Sequence, residues 1–371
     1  MVSSERARLD YFPSDYAKAR ERFRALAQAR GAGSASYAID ASGPGGGTLS
    51  LDTAYVGAAQ PRRLLIILSG THGAEGFAGS ALQSQWLDRL EPRRIPRDGG
   101  CLLIHAVNPY GFAWLRRANE HNVDLNRNAL ARFPGARNPA YAALDAWLNP
   151  ASPPRGPDFF LARGGWLVLT RGWPTVKRAI VEGQYEFPHG LFYGGARTEA
   201  SIAHVDAVLA AEAFRQVRRV FAIDIHTGLG SFATYKLMVD LDPGAEAYGE
   251  LEQWFGRDAL ASSRPAGSVA YRVSGGLAEL IERRFSRAGA CACVLEFGTL
   301  SLVRLLIRLR RENRLYHYGR ADGAELERAR QALREAFCPN DGGWRARILA
   351  QGAEVFRRAA RGLFDVELQS F

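Results

Sequence analysis

The chain has 371 residues, of which 47% are hydrophobic and 23% charged, and its formal net charge is +10. These proportions are typical of a globular protein, and no run approaches the roughly 20 apolar residues that cross a bilayer. The positive charge is almost entirely arginine and accompanies no nucleic-acid-binding motif, so we expect no nucleic-acid partner. Because no run is long enough to span a bilayer, we also expect no membrane partner. Residues 1–16 lack the apolar core of a signal peptide, so we expect a cytoplasmic protein.

Hydrophobic periodicity predicts alternating strands and helices in the first third of the chain. The continuous apolar runs among them are typical of strands that are covered on both faces. The predicted elements are a helix over 13–30, strands over 36–41, 48–56 and 63–68, a helix over 77–90 and a strand over 101–107.

The middle of the chain is irregular and rich in Pro, Gly and Trp, with short helices predicted near 140–148 and 174–182. Long ordered insertions in compact domains are usually functional, so we interpret residues 129–197 as an inserted cap or loop that borders a site.

The last part of the chain returns to alternating elements. They are a helix over 199–214, strands over 217–225, 234–241, 268–273 (weak) and 291–297, helices over 244–257 and 275–287, and three helical stretches ending near 364. This order predicts one domain over 1–371 with a three-layer α/β fold. Its sheet is expected to be twisted, mixed and mostly parallel, with helices on both faces.

Three apolar runs each end at a motif with ionisable residues. T-H-G-A-E-G holds His72 and Glu75, D-I-H-T-G holds His226, and V-L-E-F-G-T holds Glu296. In open α/β sheets, ligands bind at the carboxyl ends of the strands. Two imidazoles and one carboxylate are a ligand set of catalytic zinc, with a fourth position open for water. The sequence therefore predicts one Zn²⁺ ion at His72, Glu75 and His226.

The neighbouring motifs supply the other groups that amide hydrolysis needs. A zinc ion lowers the pKa of a bound water to about 7, and a carboxylate such as Glu296 can pass the water's proton to a leaving nitrogen. Arg117 offers positive charge for the oxyanion; Arg116 is the alternative, and the spacing from Arg127 favours Arg117. The planar guanidinium of Arg127 suits a carboxylate, which indicates a substrate with an amino-acid or peptide terminus.

These pieces together resemble the zinc carboxypeptidase superfamily, which includes the metallocarboxypeptidases and the succinylglutamate desuccinylase/aspartoacylase branch. The resemblance implies the zinc-peptidase, phosphorylase/hydrolase-like fold. It is carried, in the family's order, by H-x-x-E at 72–75, N-P-Y-G at 108–111, R-x-N-x-x-x-V-D-L-N-R-N at 117–128, H-T-G at 226–228 and E-F-G at 296–298.

The resemblance also implies a role for each matching residue. The implied roles are metal ligands for His72, Glu75 and His226, orientation of the first histidine for Asp124, polarisation of the scissile carbonyl for Arg117, binding of the substrate carboxylate for Asn126 and Arg127, and general base for Glu296.

Digestive members of the superfamily carry a tyrosine ahead of the base glutamate, which closes over the substrate. Tyr271 is the nearest candidate here, while Tyr185 and Tyr193 compete with it, and packing on the sheet explains each of them equally well. Which tyrosine closes over the substrate, if any does, stays open.

The function predicted first is that of a metallocarboxypeptidase-like zinc hydrolase acting on a small peptide with a free carboxylate. An N-acyl amino acid deacylase of the aspartoacylase type would use the same groups on an acylated amino acid. A non-catalytic zinc- or peptide-binding protein is the alternative from another class. The sequence leaves open the side-chain preference, the oligomeric state and the role of the insertion.

Overall fold

A single eight-stranded sheet runs through the protein, whose computed structural model describes residues 11–156, 158–264, 274–320 and 323–365. The strands are β1 (Gly33–Ser42), β2 (Thr48–Gly57), β3 (Arg63–Ser69), β4 (Gly99–His105), β5 (Arg219–Gly228), β6 (Tyr235–Val239), β7 (Leu260–Ser262) and β8 (Gly289–Gly298). Their order across the sheet is β1-β2-β4-β3-β5-β8-β6-β7.

The four central strands β4, β3, β5 and β8 are parallel to one another. On one side β2 pairs antiparallel with β4, and β1 with β2; on the other side β6 pairs antiparallel with β8, and β7 runs parallel to β6. The carboxyl ends of the parallel strands therefore lie at one edge of the sheet.

Helices cover both faces of this sheet. They are α1 (Tyr16–Ala29), α2 (Gly76–Arg89), α3 (Pro109–Ala113), α4 (Pro139–Ala142), α5 (Asp145–Leu148), α6 (Phe160–Arg171), α7 (Trp173–Val181), α8 (Ala200–Leu209), α9 (Glu246–Phe255), α10 (Leu277–Arg284), α11 (Leu302–Tyr318), α12 (Ala324–Phe337) and α13 (Gly342–Phe364).

Two hydrophobic clusters, one on each face, explain why the central strands are apolar throughout. Along β3, Leu65 and Ile67 join the cluster that contains side chains of α1, α2, α9 and α13. Leu64, Ile66 and Leu68 join the cluster formed with α8 and α10. Successive side chains of a strand point to opposite faces, so both sets are buried. The predicted three-layer, mostly parallel α/β fold is confirmed.

Some elements differ from the prediction. Helix α1 begins after Asp15, whose carboxylate accepts the Lys18 N–H at 2.8 Å, and not at residue 13 as predicted. Strand β7 and helix α6 were missed, because the first has three residues and the second is apolar on nearly every side. The weak strand expected over 268–273 lies outside the described residues. Among those that are described, no helix has the length and apolarity to cross a bilayer.

Residues 129–197 hold the four helices α4 to α7. Their apolar side chains form a third cluster with the inner faces of α11 and α12. The cluster includes Tyr141 and Leu148 from this segment and Leu305 and Leu333 from the C-terminal helices. This segment is therefore packed onto the C-terminal helices, at the edge of the sheet where the central strands end.

The turn that follows β3 packs directly against the backbone of a neighbouring loop. The Gly73 N–H donates to the carbonyl of Arg117 at 3.2 Å, and the Ala74 N–H donates to that of Arg116 at 2.8 Å. A Cβ atom on Gly73 would lie 1.9 Å from the carbonyl carbon of Gly111. Only glycine fits here without moving the backbone.

We expect Gly73→Ala to lower the free energy of unfolding by at least about 2 kcal/mol, because the added methyl group must displace backbone and not a flexible side chain. Gly249→Ala is the matched control, since no heavy atom lies within 4 Å of its Cβ position. It should raise helix stability by about 0.5–1 kcal/mol. Urea unfolding of both variants measures the difference; equal stabilities would contradict the packing described for this turn.

Candidate active site

The three predicted metal ligands lie together at the carboxyl edge of the sheet. His72 and Glu75 flank a short 3₁₀ turn after β3, and His226 lies near the end of the adjacent parallel strand β5. The Nδ1 atoms of the two histidines are 3.0 Å apart, and they lie 2.9 and 3.1 Å from oxygens of Glu75. Ligand atoms on a tetrahedral zinc ion with bonds of about 2.1 Å are about 3.4 Å apart, so the set fits after a small outward movement.

A buried aspartate contacts the far nitrogen of each imidazole. Nε2 of His226 lies 2.7 Å from Asp224, and Nε2 of His72 lies 3.0 Å from Asp124. In the neutral imidazole of His226 this contact favours the tautomer with its proton on Nε2, which turns the Nδ1 lone pair toward the centre. Carboxylates that hold metal-binding histidines in this way fix the tautomer and the ring orientation.

The electric field at the centre favours a positive charge. Burial alone raises the pKa of Glu75, but His72 and His226 outweigh it and hold this pKa well below its usual range. Burial likewise lowers the pKa of His226, but Asp224 and Glu75 outweigh it and hold this pKa well above its usual value. A divalent cation would satisfy the same converging lone pairs. The donor set and its surroundings therefore fit a metal ion.

Arg117 and Asp124 lie directly beside the metal ligands. The guanidinium of Arg117 donates to Glu75 Oε1 at 3.1 Å and to Asp124 Oδ2 at 3.2 Å, and it approaches His72 Nε2 to 2.8 Å. Burial raises the pKa of Asp124, but the charges of Arg127, Arg117 and His72 outweigh it and keep this pKa well below its usual range. Asp124 is therefore an anion that joins the candidate ligand His72 to both arginines.

Asn126 and Arg127 line the same cavity as the metal ligands. Arg127 is buried and donates to Asp124 and to the carbonyl of Val181, while its Nε–H has no partner. A guanidinium has five N–H donors, and these contacts use two of them. Asn126 Oδ1 accepts the Leu277 N–H at 3.2 Å, which ties it to the start of α10. Arg127 thus keeps N–H donors that no protein group uses.

Phe192 was not predicted, yet it lies between the two arginines. Its ring centre is 5.3 Å from Cζ of Arg117 and 5.2 Å from Cζ of Arg127, which are cation–π distances. Its φ is +57°, a left-handed conformation that is unusual for a bulky residue. The inserted segment thus contributes a side chain to the cavity.

Glu296 lies beside His226 on the next parallel strand, β8, with which it is in register. Its Oε1 accepts the Leu229 N–H at 2.7 Å. Burial and the nearby charge of Glu75 raise the pKa of Glu296 to about 7. A carboxylate with such a pKa can both accept and release a proton near neutral pH.

A cavity of about 310 Å³ is lined by the three candidate ligands together with Arg117, Asn126, Arg127, Phe192 and Glu296. One wall is apolar and comes from α11 and α12; it consists of Leu302, Leu305, Leu309 and Phe337. The opposite end is acidic among the described residues, and it includes Asp240, Glu279 and Glu282, with Arg264 beside them. Asp240 pairs with Arg264 at 3.3 Å.

Of the three tyrosines considered from the sequence, the two that are described do not line this cavity. Tyr193 packs against the hydrophobic cluster under the sheet, and its carbonyl accepts the Asp124 N–H at 2.7 Å. Tyr185 donates its hydroxyl to the carbonyl of Arg127 at 2.7 Å. Tyr271 lies outside the described residues. The tyrosines that are described thus support the loop around the site instead of lining its cavity.

We expect His72→Ala to abolish tight binding of a divalent metal ion, because it removes one of three converging donors. Asp224→Asn should weaken binding by about 10- to 100-fold through the loss of the carboxylate that orients His226. His204→Ala, which changes a partly buried histidine on α8 that does not line the cavity, is the control and should bind the ion like the parent protein. Equilibrium dialysis with elemental analysis measures all three; unchanged binding by His72→Ala would show that the ion lies elsewhere.

No curated protein sequence matches the chain. Similar solved structures include murein-tripeptide amidase MpaA from Escherichia coli O157, with 16% identity, a TM-score of 0.38, and coverage of 81% of this chain and 92% of that one. A succinylglutamate desuccinylase/aspartoacylase from Rhodobacter sphaeroides has 18% identity, a TM-score of 0.37, and coverage of 78% and 64%. Carboxypeptidase A from Helicoverpa armigera has 12% identity, a TM-score of 0.44, and coverage of 87% and 73%.

A family profile, described as a protein of unknown function, DUF2817, matches residues 12–351. Because this match spans most of the chain, the protein belongs to the DUF2817 family.

Proposed function

We propose that the protein is a zinc-dependent hydrolase that cleaves an amide bond next to a free carboxylate, as a metallocarboxypeptidase does. The observation that carries this proposal is the convergence of His72, Glu75 and His226 in one cavity with Glu296 and two arginines. A protein that only binds a metal ion does not need a buried carboxylate with a pKa near neutrality. A hydrolase needs such a group because it must move a proton near neutral pH.

His72, Glu75 and His226 would hold the zinc ion, which supplies Lewis-acid activation of water and of the substrate carbonyl. The protein's contribution is to keep these side chains in place. Asp224 and Asp124 orient the two imidazoles, and the Thr227 N–H donates to Glu75 Oε2 at 3.0 Å.

Glu296 is the group that moves the proton. Its Oε1 is occupied by the Leu229 N–H, so Oε2 is the oxygen that accepts a proton from the attacking water. The same oxygen then gives this proton to the leaving nitrogen as the carbon–nitrogen bond breaks. The products are a carboxylate and a free amine.

Two arginines interact with the negatively charged oxygens of the substrate. Arg117 is about one-sixth exposed and lies beside the ligands, where its charge stabilises the oxyanion formed on the substrate carbonyl. Arg127, with Asn126, lies deeper and binds the free carboxylate of the substrate. Because the fold holds Arg117 and Arg127 at a fixed distance, the pair selects amides whose nitrogen belongs to an amino acid.

The acidic end of the cavity indicates which amino acid is released. The cavity follows one face of β8 from Glu296 past Val294 to Ala292, a span of about 13 Å at 3.3 Å per residue. Glu279 and Glu282 of α10 border this end, and burial and neighbouring carboxylates raise the pKa of Glu282. A basic side chain would be stabilised there, whereas an acidic one would be repelled.

The acidic residues at this end of the cavity also help to rank the alternative functions. An N-acyl amino acid deacylase of the aspartoacylase type uses the same catalytic groups, but acylated aspartate would place a second carboxylate near Glu279 and Glu282. We therefore rank peptide-like substrates first. A non-catalytic zinc- or peptide-binding protein would not require Glu296 beside the metal ligands.

We expect Glu296→Gln to retain the metal ion and to lower kcat by about 10²- to 10⁴-fold, because the amide cannot accept the proton. Glu21→Gln, an exposed change on α1, is the matched control and should keep parental activity. Metal content and steady-state kinetics of the zinc-loaded proteins provide both readouts. Parental activity in Glu296→Gln would show that another group is the base.

A substrate panel tests the proposed reaction. The zinc-loaded protein should release C-terminal Lys or Arg from short peptides at least about tenfold faster than C-terminal Asp or Glu, since a difference of 1.4 kcal/mol is tenfold. Mass spectrometry of the products measures these rates. Faster hydrolysis of N-acetyl-aspartate or N-succinyl-glutamate would instead favour the deacylase. Zinc binding without turnover of any substrate would favour the non-catalytic alternative.

A further inference from the structure

Exposed apolar side chains are concentrated on one pair of helices. Among the described residues, eight large hydrophobic side chains are exposed, and five of them fall within residues 159–173. These five are Phe159, Leu161, Trp166, Leu169 and Trp173. Leu169 is 84% exposed and Trp166 is 69% exposed. We call α6 and α7, with the residues that join them, the α6–α7 hairpin.

The outward side of α6 is apolar over a wide arc. At about 100° per residue, Leu161, Ala162, Gly165, Trp166 and Leu169 occupy an arc of about 140° that contains no charged residue. All five are exposed. A helix on the surface of a globular protein normally presents polar side chains on this side. An apolar surface of this kind marks an interaction site.

The inward side of the hairpin anchors it to the protein. Phe160 stacks on Trp147 with ring centres 4.7 Å apart, and Arg310 lies over the Phe160 ring at 4.5 Å. From α7, Val176 and Ile180 are buried in the cluster shared with α11 and α12. The inward side chains thus anchor the hairpin to the protein, and its apolar arc faces outward.

The charge of the hairpin indicates what covers it. Residues 159–181 contain no Asp or Glu and four basic residues, which are Arg163, Arg171, Lys177 and Arg178. Glu182 pairs with Arg178 at 2.6 Å just beyond this segment. Two copies of the hairpin facing each other would bring like charges together. An apolar phase with anionic groups at its boundary complements both properties.

We propose that the α6–α7 hairpin binds the surface of a membrane that contains anionic lipids. The apolar arc lies at the boundary between headgroups and acyl chains, with its axis in the membrane plane, and the arginines contact lipid phosphates. Trp166 and Trp173 are residues of the type that concentrates at this boundary. The proposal departs from our expectation that no membrane takes part, which concerned spanning segments. It does not depend on the proposed hydrolysis.

Vesicle sedimentation with the full chain tests the proposal. The protein should bind mixed phosphatidylcholine–phosphatidylglycerol vesicles at least about tenfold more tightly than phosphatidylcholine alone, and high salt should remove this preference. The double variant Trp166→Ser/Leu169→Ser should lose at least about tenfold in affinity for the mixed vesicles. Arg163→Glu/Arg171→Glu should lose the preference for the anionic lipid.

Phe232→Ser is the matched control, because Phe232 is another exposed aromatic residue (48%) and lies outside the hairpin. It should bind the vesicles like the parent, and equal melting temperatures should show that all variants are folded. Quenching of tryptophan fluorescence by brominated lipids tests insertion in the parent protein without any substitution.

Two results would overturn the proposal. The first is failure of the parent protein to bind the anionic vesicles, or equal binding by Trp166→Ser/Leu169→Ser. The second is a concentration-dependent dimer in sedimentation velocity that the double variant abolishes while vesicle binding stays unchanged. This result would assign the arc to a second copy of the chain.

Discussion

The register of the three parallel strands β3, β5 and β8 is the constraint on which the site depends. In this register Ser69 pairs with Ile225, and His226 pairs with Glu296. The turn after β3 therefore leaves the sheet beside the ends of the two other strands. A shift of one residue in β5 would turn His226 to the opposite face of the sheet. The apolar side chains buried on both faces prevent such a shift, so the hydrophobic core also sets the geometry of the polar centre.

The charged groups at the centre compensate one another. Buried carboxylates are costly unless positive charge and hydrogen bonds accompany them. Glu75 meets this requirement through two histidines, Arg117 and a backbone N–H. Parts of the chain that are distant in sequence complete the arrangement: the inserted segment supplies the Val181 carbonyl to Arg127 and the Phe192 ring to both arginines. The insertion is therefore a structural component of the site.

The sequence alone predicts those strands and site residues whose signal lies within a short stretch of the chain. Continuous apolar runs identify β3, β4, β5 and β8, and ionisable residues directly after such runs identify His72 and Glu75. Phe192 could not be found in this way, because an extended segment has no periodicity that tells which of two adjacent aromatic residues faces a cavity. The same holds for Glu282, whose place beside Ala292 depends on the packing of α10 on the sheet. Helix α6 was not predicted because its outward side is apolar, so its sequence lacks the alternation of polar and apolar residues that indicates a surface helix.

Asp124 contacts His72 and two arginines through a single carboxylate. If His72 binds a cation through Nδ1, its Nε2 would keep a proton to donate to Asp124, and this hydrogen bond would compete with those that the aspartate accepts from the arginines. Arg127 would then be freer to bind an anion. Thermodynamic linkage would make such a coupling reciprocal, so that a cation and a carboxylate ligand would raise each other's affinity by the same factor.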